Sequence, residues 1–262
     1  MARTSVIRSV AYGVASGVVL LVAGALTERP GAFVRVHNEV EPAPAQGRAA
    51  AVDSVPSVDG LPIVATPPAG PRRRVLALVM SGDGGWVAVD QDLARELGRR
   101  GVGVVGLDSR AYLSRRRTPD ETAGDVARIL RRYLPAWGCD SVALVGYSRG
   151  ADIAPFVANR LPLDLRRRVA LIAMIGLAER ASFEFHWTDL LSEISRPTDI
   201  PVLPELERLR GANMLCVYGT SERESLCRGV DRTLVRVLPR DGAHRVSSDE
   251  APMLARVVMD AL

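Results

Sequence analysis

Ser148 stands in the run Gly146-Tyr147-Ser148-Arg149-Gly150, directly after the apolar stretch VALVG and directly before a helix-forming stretch. A serine in G-x-S-x-G spacing between strand and helix has the local sequence of a nucleophile elbow. There a strained turn exposes the hydroxyl, side chains at the two glycine positions would collide with strand and helix, and the helix N-terminus favours developing negative charge. The spacing also fits an ordinary glycine-flanked turn, and the strand-turn-helix context is what separates the two readings. The chemistry implied is attack of a serine hydroxyl on an acyl carbonyl.

A serine hydroxyl is a weak nucleophile and needs an adjacent base, held in turn by an acid. The chain has three histidines: His37 in a proline-rich stretch, His186 in SFEFHW ahead of any suitable acid, and His244 in a polar loop near the C-terminus. His244 is therefore the candidate base. In the order serine, acid, histidine, the acid should follow a strand between the two, and MLCVYGTSERE offers Glu222, three residues past Gly219, with Glu224 as the alternative. Both acids also fit a solvated loop. The oxyanion of an acyl-transfer intermediate needs two backbone donors. The Arg149 N–H is one, and the glycine-rich run Ser81-Gly82-Asp83-Gly84-Gly85-Trp86 supplies the other at Asp83 or Gly84. A phosphate-cradling reading of that run lacks both a Walker lysine and G-x-G-x-x-G spacing.

Composition narrows the choice further. All 34 basic residues are arginine, against 30 acids, and removing the first 26 residues leaves 32 against 30, which is no nucleic-acid footprint. The arginine clusters at 72–74, 115–117 and 166–168 read as solvated loop and helix ends. Scattered histidines and cysteines without C-x-x-C spacing give no metal-ligand cluster, and no cofactor is expected.

The elements that must position these residues follow from alternation of apolar runs with amphipathic stretches, the pattern of an α/β fold with a mainly parallel sheet covered by helices on both faces. Strands are expected at 75–80, 102–107, 142–146, 169–176, 214–218 and 233–238, with SFEFHW as an exposed or edge strand. Helices are expected at 90–100, ended by Gly101, at 119–133 behind a Thr118/Glu121 capping box with proline at the first position, at 149–161, and from a Ser247/Glu250 cap to Leu262. With the elbow, this predicts an α/β-hydrolase fold over residues 71–262. Residues 1–26 carry Arg3 and Arg8, an apolar run and an A-x-A spacing, which reads as a signal peptide or N-terminal anchor. Residues 27–70 read as a Pro/Ala-rich flexible linker.

Taken together, SGDGGW, GLDS with RTPDETAGD, GYSRGADIAPFVANRLP, SFEFHWTDLL and LCVYGTSERESLC resemble the C-terminal domain of the VirJ and AcvB bacterial virulence proteins, over about residues 74–262. The resemblance implies a periplasmic α/β-hydrolase that cleaves aminoacyl-phosphatidylglycerol, chiefly the lysyl form, with secretion-system proteins as partners and Ser148 and His244 as the family serine and histidine. A non-catalytic secretion partner, or a general carboxylesterase or thioesterase, stays open as an alternative. For a cationic aminoacyl group, Asp83 or Asp152 would receive the ammonium, and Arg149 or the 115–117 cluster would meet the lipid phosphate. Cys216 and Cys227 bracket the acid loop and are expected to form a disulfide in an oxidising compartment, with Cys139 free; the alternative is two small buried hydrophobes.

Overall fold

The computed structural model describes residues 58–190 and 196–262. The expected signal or anchor segment and most of the expected linker lie outside these residues. Among the described residues no helix is long and apolar enough to cross a membrane.

A seven-stranded sheet runs through the folded part in the order β1 (Ile63–Thr66), β3 (Gly103–Leu107), β2 (Val75–Met80), β4 (Ser141–Tyr147), β5 (Val169–Ile175), β8 (Met214–Gly219) and β9 (Arg236–Arg240). All neighbouring pairs are parallel except β1 with β3. A separate antiparallel pair joins β6 (Arg180–Ala181) to β7 (Ile200–Pro201), and α2 (Ser109–Tyr112), α5 (Leu163–Arg166) and α6 (Leu203–Arg208) are short helices in the connections. The strands are nearly continuous apolar runs because both faces are covered. Leu76, Leu78 and Met80 pack with α3 (Pro119–Ala136) and α4 (Arg149–Arg160), while the alternating Ala77 and Val79 pack with α1 (Ala88–Arg99) and α7 (Ala251–Ala261).

The strand order places the site. From β2 the chain moves outward to β3 on one side, and β4 then inserts on the other, so the loops leaving β2 and β4 diverge. In open α/β sheets such a reversal opens a crevice at the carboxyl ends of the strands. The glycine-rich run follows β2, and Ser148 follows β4.

Local signals behave as their chemistry dictates. Thr118 caps α3, its hydroxyl accepting from the Glu121 N–H at 3.1 Å while the Glu121 carboxylate accepts from the Thr118 N–H at 2.7 Å. Ser247 and Glu250 form the same box ahead of α7, across one short 3-10 turn.

Three sequence readings are corrected. Residues 58–70, assigned to the flexible linker, enter the folded unit: Val58 and Leu61 are buried and β1 pairs with β3. The strand is short and flanked by Pro62 and Pro67, which an edge position tolerates and which hid it in the sequence. SFEFHW is not a strand. Its alternation arises because Phe183 packs edge-on against Phe156 in the core while Phe185 and Trp187 stack on the surface. The strand expected at 233–238 starts at Arg236, the residues before it forming a turn that buries Leu234 and Val235.

Cys216 in β8 and Cys227 in the following 3-10 turn form a disulfide across 11 residues, and Cys139 is free and buried. Replacing both bonded cysteines by alanine should lower unfolding free energy by roughly 2–3 kcal/mol, read as an earlier denaturant midpoint. A midpoint shift of that size in the untreated protein after reductant alone would give the same answer without mutation.

Candidate active site

Ser148 closes β4 and opens α4 with φ 51° and ψ −119°, a left-handed backbone that a non-glycine residue adopts only when its surroundings force it. The forcing is visible on both sides. A Cβ on Gly146 would enter the Gly150 carbonyl group, and one on Gly150 would enter the Met80 carbonyl of β2. The turn is this tight only because both positions are glycine, and it carries the Ser148 hydroxyl to the end of the sheet. The Ser148 N–H donates to the Ile175 carbonyl at 2.8 Å, tying the elbow to β5.

His244 lies in the loop between β9 and α7. Its Nε2 is 2.8 Å from Ser148 Oγ and its Nδ1 is 2.7 Å from Glu222 Oε1. In the tautomer that attack requires, Nδ1–H donates to the carboxylate and Nε2 accepts from the serine. Glu222 has its second oxygen, Oε2, on the Gly219 N–H at 3.1 Å. Burial alone would push the Glu222 carboxyl up, but hydrogen bonds from His244 and Gly219 and the charges of His244 and Arg240 outweigh it and hold the group below its ordinary range. Glu222 therefore stays a carboxylate through neutral pH. Glu224, the alternative acid, is exposed and hydrogen-bonds to no described residue.

Sequence reasoning missed what holds the histidine. Arg240, at the end of β9 and 8% exposed, donates to the carbonyls of Asp241 (3.0 Å), Ala243, His244 (3.1 Å) and Arg245 (3.1 Å), and pairs with Glu250 at 2.8 Å. A planar fork of donors suits this gathering of carbonyls, which a point-charge ammonium could not reproduce. Tyr147 adds a second hold: its hydroxyl accepts from the Val246 N–H at 3.1 Å and its ring stacks near His244. Gly176, at φ +68°, passes so close that a Cβ would sit 2.9 Å from His244 Cε1.

The glycine-rich run faces the elbow; a Cβ on Gly82 would lie 3.2 Å from Ser148 Cβ. The Gly85 N–H closes a turn onto the Gly82 carbonyl at 3.0 Å, and the N–H groups of Asp83 and Gly84 donate to no described residue. Arg149 starts α4, whose first-turn amides point out of the helix end. These groups together could hold an oxyanion above Ser148.

The side chains expected to contact substrate are placed differently. Arg149 Nε and Nη2 pair with Asp83 Oδ1 and Oδ2 at 2.9 and 3.1 Å, so the two side chains satisfy each other and clamp the glycine-rich loop to α4. Asp152 is buried under the chain leaving β5, accepting from the Ala178 N–H at 2.8 Å. Two acids line the cavity beside Ser148, Asp83 held by Arg149 and Asp90, which has no arginine partner among the described residues. Asp90 is 2% exposed and lines this cavity of about 480 Å³ together with Gly82, Gly85, Tyr147, Ser148 and His244. Burial pushes its carboxyl up to about 6, against the hydrogen bond it accepts from the Val87 N–H at 3.0 Å, and the nearby Asp108 charge adds to the rise. In the sequence Asp90 is indistinguishable from an acid capping the first turn of a helix, which it also is; its burial comes from the fold.

Comparisons with known proteins agree with this architecture. The profile of the family described as bacterial virulence protein (VirJ) matches residues 74–262. No curated protein matches the chain. Among solved structures it is similar to the esterase domain of a Rhodothermus marinus protein, at 16% identity over 74% of this chain and 88% of that one, with TM-score 0.52. It is also similar to an α/β serine hydrolase homologue from Coxiella burnetii (18%, 76% and 90%, TM-score 0.51) and to MenH from S. aureus (9%, 76% and 97%, TM-score 0.54). At such identities the likeness is one of fold, and the fold is that of the α/β hydrolases.

The two candidate acids separate in one experiment. Glu222→Gln should lower kcat on an activated ester by about 10²–10⁴, the scale seen when the group behind a catalytic histidine is neutralised. Glu224→Gln should leave kcat within about twofold, as expected for an exposed group outside a hydrogen-bonded relay. The reverse ranking would reassign the acid.

Proposed function

The chain belongs to the VirJ family of bacterial virulence proteins, and on that premise we propose that it is a serine hydrolase cleaving the aminoacyl ester of aminoacyl-phosphatidylglycerol, the lysyl form above all. The observation that carries the hydrolase reading is the hydrogen-bonded series from Ser148 through His244 to Glu222, set at a strained turn.

In this reaction Ser148 Oγ attacks the aminoacyl carbonyl as His244 Nε2 takes its proton. The tetrahedral oxyanion accepts from the Arg149 N–H and from an N–H of Asp83 or Gly84. Glu222 keeps the imidazole in the required tautomer and offsets its charge. Collapse breaks the ester bond, the lipid alcohol leaves with the proton from His244, and the aminoacyl group remains on Ser148. Water, deprotonated by His244, then releases the amino acid and restores the serine.

The aminoacyl preference is supported by Asp90. A buried carboxylate beside the nucleophile is poorly solvated, and an ammonium group entering the cavity would replace the missing counter-charge. A periplasmic site of action is supported by the Cys216–Cys227 disulfide, a bond that persists in oxidising compartments.

A fluorophosphonate probe should label the wild type at Ser148 and leave Ser148→Ala unlabelled and folded. No labelling of the wild type would leave the protein a scaffold without hydrolytic chemistry. Selectivity has its own signature. Asp90→Asn keeps an acceptor for the Val87 N–H but removes the charge, and should cut kcat/KM for a lysyl ester roughly tenfold to a hundredfold while moving that for a neutral acyl ester less than about threefold. The folded Asp90 carboxyl titrates at about 6, so its charge is present above that pH and lost below it. The wild-type preference for the cationic ester should fall as pH drops through this range, and the variant should show no such change. Equal losses on both esters would make Asp90 a helix cap alone.

A further inference from the structure

An aromatic and basic surface patch, formed by residues that do not line the cavity, has no role in the reaction described above. Trp187 is 71% exposed, the most exposed large apolar side chain among the described residues. It stacks edge-on with Phe185, and the Arg110 guanidinium lies over both rings, 4.7 Å from the Trp187 centroid and 5.2 Å from that of Phe185. Two backbone hydrogen bonds lace the strip carrying these aromatics to the chain after α2 (Ser109–Tyr112): Phe185 N–H to the Leu113 carbonyl at 2.8 Å, and Arg117 N–H to the Phe183 carbonyl at 2.9 Å. Arg115 and Arg116 stand on the same strip, exposed and without an ion pair to any described residue. Several neighbouring acids already have partners: Asp125 with Arg117 and Arg128, Asp120 with Arg160, Glu121 on the Thr118 N–H, and Glu184 with His186.

The patch is carried by two chain segments that leave the site. Its first segment begins at Asp108, whose carboxylate a Cβ on Gly85 would approach within 3.1 Å. Its second begins at Gly176, against His244.

We propose that this patch docks the protein on a bilayer surface bearing anionic phospholipid headgroups, with Trp187 entering the headgroup boundary and Arg110, Arg115 and Arg116 meeting phosphates. An indole is at home at that boundary, and a guanidinium stacked on it keeps its in-plane N–H groups for phosphate oxygens. Unpaired basic residues on a surface add attraction to an anionic leaflet. The proposal rests on the lipid-ester reading above, and it assigns which face of the molecule meets the lipid.

The test is vesicle co-sedimentation of the full chain, so that everything before residue 58 is common to all arms. The wild type should partition at least about tenfold more strongly onto vesicles of phosphatidylglycerol with phosphatidylcholine than onto phosphatidylcholine alone. Trp187→Ala and the double variant Arg115→Gln/Arg116→Gln should each weaken partition roughly tenfold. Arg232→Gln/Arg236→Gln, an equal charge change outside the patch, should leave it unaltered. Brominated phosphatidylglycerol should quench wild-type tryptophan fluorescence and spare that of Trp187→Phe. Turnover of a water-soluble ester, which carries no lipid phosphate for the 115–117 arginines to meet, should be the same in every patch variant. Wild-type binding that ignores phosphatidylglycerol, no binding at all, Trp187→Ala binding as well as wild type, or patch variants that turn a dimer into a monomer would each overturn the proposal. Absence of soluble-ester turnover in the wild type would instead count against the hydrolase reading, leaving the vesicle result to stand alone.

Discussion

Ser148 and His244 are 96 residues apart in the chain and 2.8 Å apart in space, and that one hydrogen bond constrains most of what surrounds it. It requires the ends of β4 and β9 to be level although β5 and β8 lie between them. It requires Ser148 to hold a left-handed backbone, which requires glycine on both sides, and it requires the chain leaving β5 to pass the imidazole without a side chain at Gly176. Each requirement is local and steric, yet together they leave one arrangement of the carboxyl end of the sheet.

The imidazole is supported from two directions by different chemistry. On the acid side, Glu222 sits in a loop closed by the disulfide and laced to the histidine loop, with Ser221 N–H on the Gly242 carbonyl at 2.8 Å. On the base side, Arg240 draws successive carbonyls onto one guanidinium. Burying that guanidinium is tolerable because the carbonyls and Glu250 surround it; removal of any one acceptor leaves a buried charge less well solvated. The oxyanion side follows a similar logic, with Arg149 and Asp83 locking the glycine-rich loop to the helix that carries the other donor.

Much of this was legible in the sequence wherever the signal is local. The elbow, the Thr118 and Ser247 caps and the buried strands depend on residues near one another in the chain, and the order serine, acid, histidine narrows the acid to Glu222, three residues past Gly219, with Glu224 left as the alternative until the loop is folded. What escaped depends on strand order. Asp83 and Arg149 read as two free charges until β2 and β4 proved to be neighbours. Asp90 reads as a surface cap until α1 is laid over the cavity, and Arg240 reads as a polar strand end until the loop folds back over it. SFEFHW escaped for the opposite reason, since tertiary packing on alternate sides imitates the period of a strand. β1 was lost because prolines that mark a linker also suit a sheet edge.

The disulfide and the Arg240 cluster make the two arms of the imidazole's support answer to different surroundings. Reductant acts on the first and leaves the second intact, whereas the second depends on charge and geometry and is indifferent to redox state. A chain folded in reducing surroundings would keep the Arg240 cluster and lose only the covalent tie on the loop that carries Glu222, so redox state reaches the site through one arm of the support and not the other.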